Sequence, residues 1–181
     1  MIRPTTFATN PAILGGAAYG FMYFLRTDGR QVVHYHNVAD LGAGTTVNTV
    51  NVPNMLMVER TTAGGIYNFY NNAKTDGTFT NATSYSTDGI ARVGGSYTGT
   101  YDPLNGVVGD LIVYNRVLTA TERQKVNTYL SIKYGTTFDT TITKVAGAGN
   151  NYILGDGTVI WTANSTYYFR ITGIGRDDCD S

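Results

Sequence analysis

The sequence contains one cysteine, two glutamates and little charge of either sign, and each scarcity removes a class of explanation. A single thiol, Cys179, forms no internal disulfide, so cysteine usage leaves the redox compartment open. Charged residues make up 14% of the chain, against about 25% in ordinary domains. Thirteen basic residues balance thirteen acidic ones, and no run of like charge occurs. This argues against a nucleic-acid or membrane-surface binder, because counterion release requires a basic patch. Long hydrophobic runs are also missing. Ala12 to Leu25 (AILGGAAYGFMYFL) is too short for a spanning helix and carries three glycines. It has only Arg3 ahead of it and no small-residue cleavage site, so a buried strand is expected rather than a signal peptide.

What is present is glycine, threonine, asparagine and tyrosine, with 22 glycines and 14 tyrosines in 181 residues. β-Branched and aromatic side chains fit a pleated surface, and Gly and Asn fit the turns, so an all-β fold is predicted. Phe21 to Arg26 and Gln31 to His36 read as a hairpin around the Asp-Gly pair of TDGR. Further strands are expected at Asn54 to Arg60, Gly65 to Tyr70, Gly89 to Val93 and Val107 to Asn115, with turn-rich segments such as NNAKTDG between them. Such spacing suggests a sandwich or barrel.

One helix interrupts this pattern. Thr119-Ala-Thr-Glu122 reads as a capping box, Val126, Tyr129, Leu130 and Tyr134 recur at helical spacing, and Gly135 supplies the stop. Strands then resume at Asn151 to Leu154, Thr158 to Thr162 and Tyr167 to Ile171, with Trp161 as a core residue of that second module.

Gly109, Tyr114, Asn115, Arg116, Leu118, Thr119 and Glu122 together resemble the closing strand and helix start of laminin-G-like, concanavalin-A-like jelly rolls. The continuation through Tyr129, Leu130, Lys133, Tyr134 and Gly135, followed by Tyr152, Gly157, Trp161, Ile171 and the string Gly173-Ile174-Gly175-Arg176-Asp177-Asp178, is similar to a variant found in large bacterial cell-surface, adhesin-like proteins. The resemblance implies an antiparallel jelly-roll sandwich over residues 1–118, N-terminally incomplete. A closing and connecting helix follows at 119–135, then a truncated second β module with a hairpin at 136–181. It also implies a noncatalytic extracellular or cell-surface module that binds glycans or adheres within a larger secreted protein. The alternatives are a subunit that assembles with its own copies through open sheet edges into a surface array, and, third, a glycan hydrolase.

The residues weigh these readings unequally. Retaining hydrolysis needs two carboxyls about 5–5.5 Å apart, and Glu59 and Glu122, the only glutamates, sit at a strand end and a helix cap. No catalytic residue is assigned. Tyrosine offers sugars an apolar face with a hydroxyl handle, and Tyr67, Tyr70, Tyr85, Tyr97 and Tyr101 are the candidates near loops. His34 and His36 share one strand face, but no carboxylate or cysteine lies close in sequence to complete a metal site, and a solvated face is the simpler reading. Calcium is the ion the resemblance implies. Asp28, Asp76, Asp88 and Asp156 each precede glycine and are explained by turns, which leaves Asp102 and the pair Asp177 and Asp178, the pair being the assigned candidate. The expected partners are a glycan or neighbouring protein subunits, with no nucleic acid and no membrane insertion. Asn81 and Asn164 head glycosylation sequons of chance-level significance.

Overall fold

The computed structural model describes residues 1–17, 21–35, 39–61, 65–82, 89–96, 102–138 and 151–162. The described strands are antiparallel and the fold is mostly β, with one helix. Two compact units divide the chain: residues 1–71 with 75–111, and residues 112–181 with 72–74.

The first unit is built on two sheets. Strands β2 (Ala12–Gly16), β3 (Phe21–Leu25), β4 (Gln31–Tyr35), β5 (Ala39–Ala43) and β9 (Ile90–Val93) form a five-stranded sheet in the order β5-β4-β3-β2-β9. The apolar run Ala12 to Leu25 is therefore two paired strands rather than one. The β3–β4 hairpin keeps the expected turn: Gly29 has a φ of 84°, and Arg26 and Arg30 close it with a 2.8 Å backbone bond. Strands β6 (Leu56–Arg60), β7 (Ile66–Asn71) and β8 (Lys74–Thr80) form a second sheet in sequence order. Strand β1 (Ile2–Pro4) pairs with β10 (Gly106–Val108), and reciprocal bonds of 2.9 and 2.8 Å between Ile2 and Asn54 join β1 to the chain just ahead of β6.

Alternation puts one face of each sheet into a shared core. Ile13, Leu14, Tyr23, Leu25, Val33 and Leu41 meet Ile2, Tyr67 and Phe69, with Leu56 and Val58 packed against them. On the opposite face of the five-stranded sheet, Ala12, Met22, Phe24 and Val32 are buried as well. Burial on both faces explains why β3 reads as continuous hydrophobicity rather than as an alternating pattern.

Two expectations are corrected here. The Asp-Gly of KTDG is not a turn: Asp76 and Gly77 lie inside β8, and the reversal falls at Asn72 and Ala73, both with positive φ (47° and 68°). Two left-handed residues in a two-residue loop suit the twist of a hairpin, and here Asn-Ala occupies what glycine usually fills. The expected strand Val107 to Asn115 is only Gly106–Val108, where the ladder to β1 ends, and the rest of the apolar run pairs with no described strand.

The second unit is organised by the helix α1 (Ala120–Tyr134). Its capping box forms as the sequence implies: Thr119 Oγ1 accepts from Glu122 N at 3.2 Å, and the Glu122 carboxylate accepts from Thr119 N at 2.8 Å. Gly135 adopts the left-handed C-terminal position at φ 62°. The expected apolar stripe does not carry the packing. Asn127, Thr128, Leu130 and Ser131 are buried, whereas Tyr129 is exposed. The reason is that the helix meets a hairpin of β11 (Tyr152–Ile153) and β12 (Val159–Trp161) through hydrogen bonds. Thr128 Oγ1 accepts from Ile153 N at 3.1 Å, Gln124 Nε2 donates to Asn151 O at 2.6 Å, and Lys125 donates to the Gly155 carbonyl. Trp161 is half-buried in β12, and its indole N–H is buried with no hydrogen-bond partner among the described residues.

Candidate functional site

The outward face of the β6–β7–β8 sheet collects a row of polar and aromatic side chains. Period-two alternation buries Tyr67, Phe69 and Asn71 on β7 and turns Asn68 and Tyr70 outward. Register places Met57 opposite Tyr70 and Glu59 opposite Asn68. The Tyr70 hydroxyl donates to Glu59 Oε1 at 2.8 Å along the diagonal, and Asn68 Nδ2 approaches the same oxygen at 3.5 Å. Thr78 Oγ1 on β8 donates to Asn68 Oδ1 at 3.0 Å. Thr78, Asn68, Glu59 and Tyr70 thus form one hydrogen-bonded chain across three strands.

Behind this row lies a buried network that ties β8 to β4 and to the Thr45–Thr46 backbone. Gln31 Nε2 donates both to the Tyr70 carbonyl at 3.0 Å and to Asp76 Oδ2 at 2.6 Å, while its Oε1 accepts from the Tyr23 hydroxyl at 2.5 Å. Asp76 Oδ1 accepts from Thr45 N, Thr45 Oγ1 and Thr46 N at 3.1, 3.1 and 2.6 Å. A second buried chain runs beside it, from Asn71 Nδ2 to Asn48 Oδ1 and from Asn48 Nδ2 to the Gly29 carbonyl, each at 2.8 Å. Burial, aided by the Asp76 charge, pushes the Tyr23 phenol far above its ordinary range, so it serves as a neutral donor. Asp76, at 2% exposure, is a structural carboxylate whose oxygens are occupied by donors, not a loop ligand awaiting an ion.

The other sequence candidates separate. Tyr67, expected near the surface, is a core residue at 6% exposure, with the Arg60 guanidinium 5.4 Å from its ring centre. The pleat decides this: Tyr67 and Tyr70 are three apart on one strand and so face opposite ways. Tyr85, Tyr97 and Tyr101, His36, Asp88, and the calcium candidates Asp177 and Asp178 all lie outside the described residues. Asp28 and Asp156 serve their own turns: the Arg30 guanidinium, donating from Nε at 2.8 Å and helped by Arg30 N at 3.0 Å, holds the Asp28 carboxyl below its usual range, and Thr158 N, donating at 2.8 Å, does the same for Asp156. Burial raises the Asp102 carboxyl. Among the described residues, no three His, Cys, Asp or Glu side chains converge on a common point.

Sequence reasoning missed a second polar cluster. His34 Nδ1 lies 3.0 Å from Asp40 Oδ1, and Arg26 is ion-paired with Asp40 Oδ2. The His34 ring meets Phe24 edge-on at 6.1 Å. Asp40 is six residues from His34, but the β4–β5 ladder sets them side by side. Its strand, ADLGA, has too few β-branched residues to announce itself.

Three comparisons bear on the chain as a whole. A model for a domain of unknown function, DUF8202, matches residues 122–181, from inside the helix through the second hairpin and the GIGRDD string to the last residue. No curated protein and no solved structure matches the chain. Among the described residues, no helix is long and apolar enough to cross a membrane.

Proposed function

We propose that the first unit is a noncatalytic jelly-roll module that binds glycans at the cell surface or outside the cell, as part of a larger adhesin-like protein. The observation that carries this reading is the Thr78–Asn68–Glu59–Tyr70 row on a sheet face braced by the Gln31–Asp76 network. A half-buried tyrosine ring provides an apolar plane for a pyranose face, and the adjoining amide, carboxylate and hydroxyl provide acceptors and donors for equatorial hydroxyls. A rigid backing lowers the entropic cost of ordering such groups on binding. The low charge of the chain fits a neutral, hydroxyl-rich ligand.

The noncatalytic part of the reading is supported by the use of Glu59. Its Oε1 is held by Tyr70, an arrangement that positions an acceptor for ligand hydroxyls. The jelly-roll assignment is supported by two antiparallel sheets sharing one core and by the sequence resemblance. Glycan-array screening of the full chain, followed by calorimetry on any hit, tests the proposal. Tyr70→Ala should abolish binding and Tyr70→Phe should weaken it, with circular dichroism unchanged in both. Binding that survives Tyr70→Ala places the ligand elsewhere and refutes this site.

A further inference from the structure

In the buried network behind the polar row, a hydroxyl, a carboxylate and a carboxamide meet in the order an acyl transfer requires. The Gln31 side chain, at 0% exposure, is held at both ends. Its Oε1 accepts from the Tyr23 hydroxyl at 2.5 Å, and its Nε2 donates to Asp76 Oδ2 at 2.6 Å and to the Tyr70 carbonyl at 3.0 Å. The Thr45 hydroxyl donates to the other oxygen of the same carboxylate, Asp76 Oδ1, at 3.1 Å. Two groups bonded to the two oxygens of one carboxylate sit a carboxylate's width apart. The backbone keeps them there: Gly44 N donates to the Gln31 carbonyl at 2.8 Å, and Thr45 N donates to the Asp76 carbonyl at 2.7 Å. Gly44 itself shows how closely the reactants pack, since a Cβ there would collide with both Asp76 Oδ2 and Gln31 Cγ.

We propose that Thr45 and Gln31 form an intramolecular ester cross-link, with Asp76 as the base and Tyr23 as the donor to the developing oxyanion. Asp76 Oδ1 takes the proton of the Thr45 hydroxyl as Oγ1 attacks the Gln31 carboxamide carbon. The Tyr23 hydroxyl already bonds the oxygen on which negative charge develops, and burial keeps that phenol protonated. When the tetrahedral centre collapses, the bond from Cδ to Nε2 breaks, and Asp76 passes the proton through Oδ2 to the nitrogen, which leaves as ammonia. One ester bond forms, one amide bond breaks, and Asp76 ends as it began, so no oxidant or co-reactant is consumed. Burial of Gln31 and Asp76 shuts out the water that would compete for the acyl carbon. The step runs once per chain. Its product ties the first residue of β4 to the chain just beyond β5, closing the open end of that hairpin covalently. It is independent of the glycan site, and the two proposals fail separately.

Intact-mass spectrometry of the full chain, held at neutral pH until the mass is constant, should show a loss of about 17 Da, the mass of one ammonia. A chymotryptic digest cuts between the two residues, at Tyr35 and Leu41. Tandem spectrometry of that digest should find the peptide holding Gln31 joined to the one holding Thr45, and hydroxylamine should separate them. Thr45→Val, which lacks the nucleophile, and Asp76→Asn, which keeps the Oδ1 acceptor but takes no proton, should both retain the full mass. Thr45→Ser should still lose ammonia, and Tyr23→Phe should slow the loss about a hundredfold. A wild-type chain that keeps its full mass overturns the proposal. So does an ammonia loss that leaves the two peptides unjoined or that persists in Thr45→Val.

Discussion

Replacing Asp76 tests the idea that a buried carboxylate organises the face that carries the site. With Asp76→Ala, Gln31 Nε2 keeps the Tyr70 carbonyl and Thr45 N keeps the Asp76 main-chain carbonyl. Thr46 N and Thr45 Oγ1 lose the acceptor that holds them. Each buried donor left unsatisfied costs about 1–3 kcal/mol, so the expected loss is roughly 2–6 kcal/mol. Set against a typical total of about 5–15 kcal/mol, that brings the fold near its limit. Asp76→Asn preserves the Oδ1 acceptor but turns an N–H₂ toward Gln31 Nε2, setting donor against donor. One bond is lost, and about 1–3 kcal/mol is expected. Gly44→Ala should act on the same network, because a Cβ there would collide with Asp76 Oδ2 and the Gln31 side chain. Asp28→Asn is the control, an exposed turn carboxylate expected to matter by about 0.5 kcal/mol or less. Urea unfolding followed by amide hydrogen exchange in β3, β4 and β7 gives each value, since Trp161, α1 and several tyrosines belong to the other unit. If Asp76→Asn and Asp28→Asn are equally stable, the network is not holding the sheet and the reasoning fails.

The remaining predictions use other parts of the molecule. Because burial raises the Tyr23 phenol, its stabilising effect is complete below the unfolded value of about 10 and is lost as pH rises further; Tyr23→Phe should flatten the alkaline limb of the stability curve relative to wild type. Glu122 is held down to about 2 by Arg116, with the Thr119 N–H adding to the effect. Its contribution is present above about 4.5 and lost as pH falls toward 2, so helical ellipticity should decline over that window and Glu122→Gln should remove the dependence. Thr119→Ala should destabilise α1 by about 1 kcal/mol through the lost cap, read from thermal melts at 222 nm. Ala73→Gly should stabilise the β7–β8 hairpin by about 1 kcal/mol, because alanine at φ 68° bears a steric cost that glycine escapes; no gain in the urea midpoint would refute the turn assignment.

Local chemistry made some of this legible. The Asp-Gly turn between β3 and β4, the Thr119–Glu122 capping box and the Gly135 stop depend on residues within a few positions of one another, and all three form as read. The site was half legible. Tyr70 could be named as a candidate, but Tyr67 could not be separated from it until the pleat assigned one to the core and the other to the outer face. Glu59 was dismissed as half of a catalytic pair, and its role as the acceptor between Tyr70 and Asn68 arises only from the β6–β7 register.

By itself, the sequence determined composition-driven properties: an all-β chain of low charge, punctuated by glycine and asparagine turns and interrupted by one well-capped helix. Each follows from interactions between near neighbours in the chain. Tertiary structure decided what depends on residues far apart. It made Asp76 a buried strand carboxylate rather than a turn residue, because Thr45, Thr46 and Gln31 converge on it from thirty or more residues away. It set Asp40 against His34 and Arg26. It turned Asn68 and Tyr70 to one face of β7 and Tyr67 and Phe69 to the core, because only the packing of one sheet on another decides which face of a strand is buried.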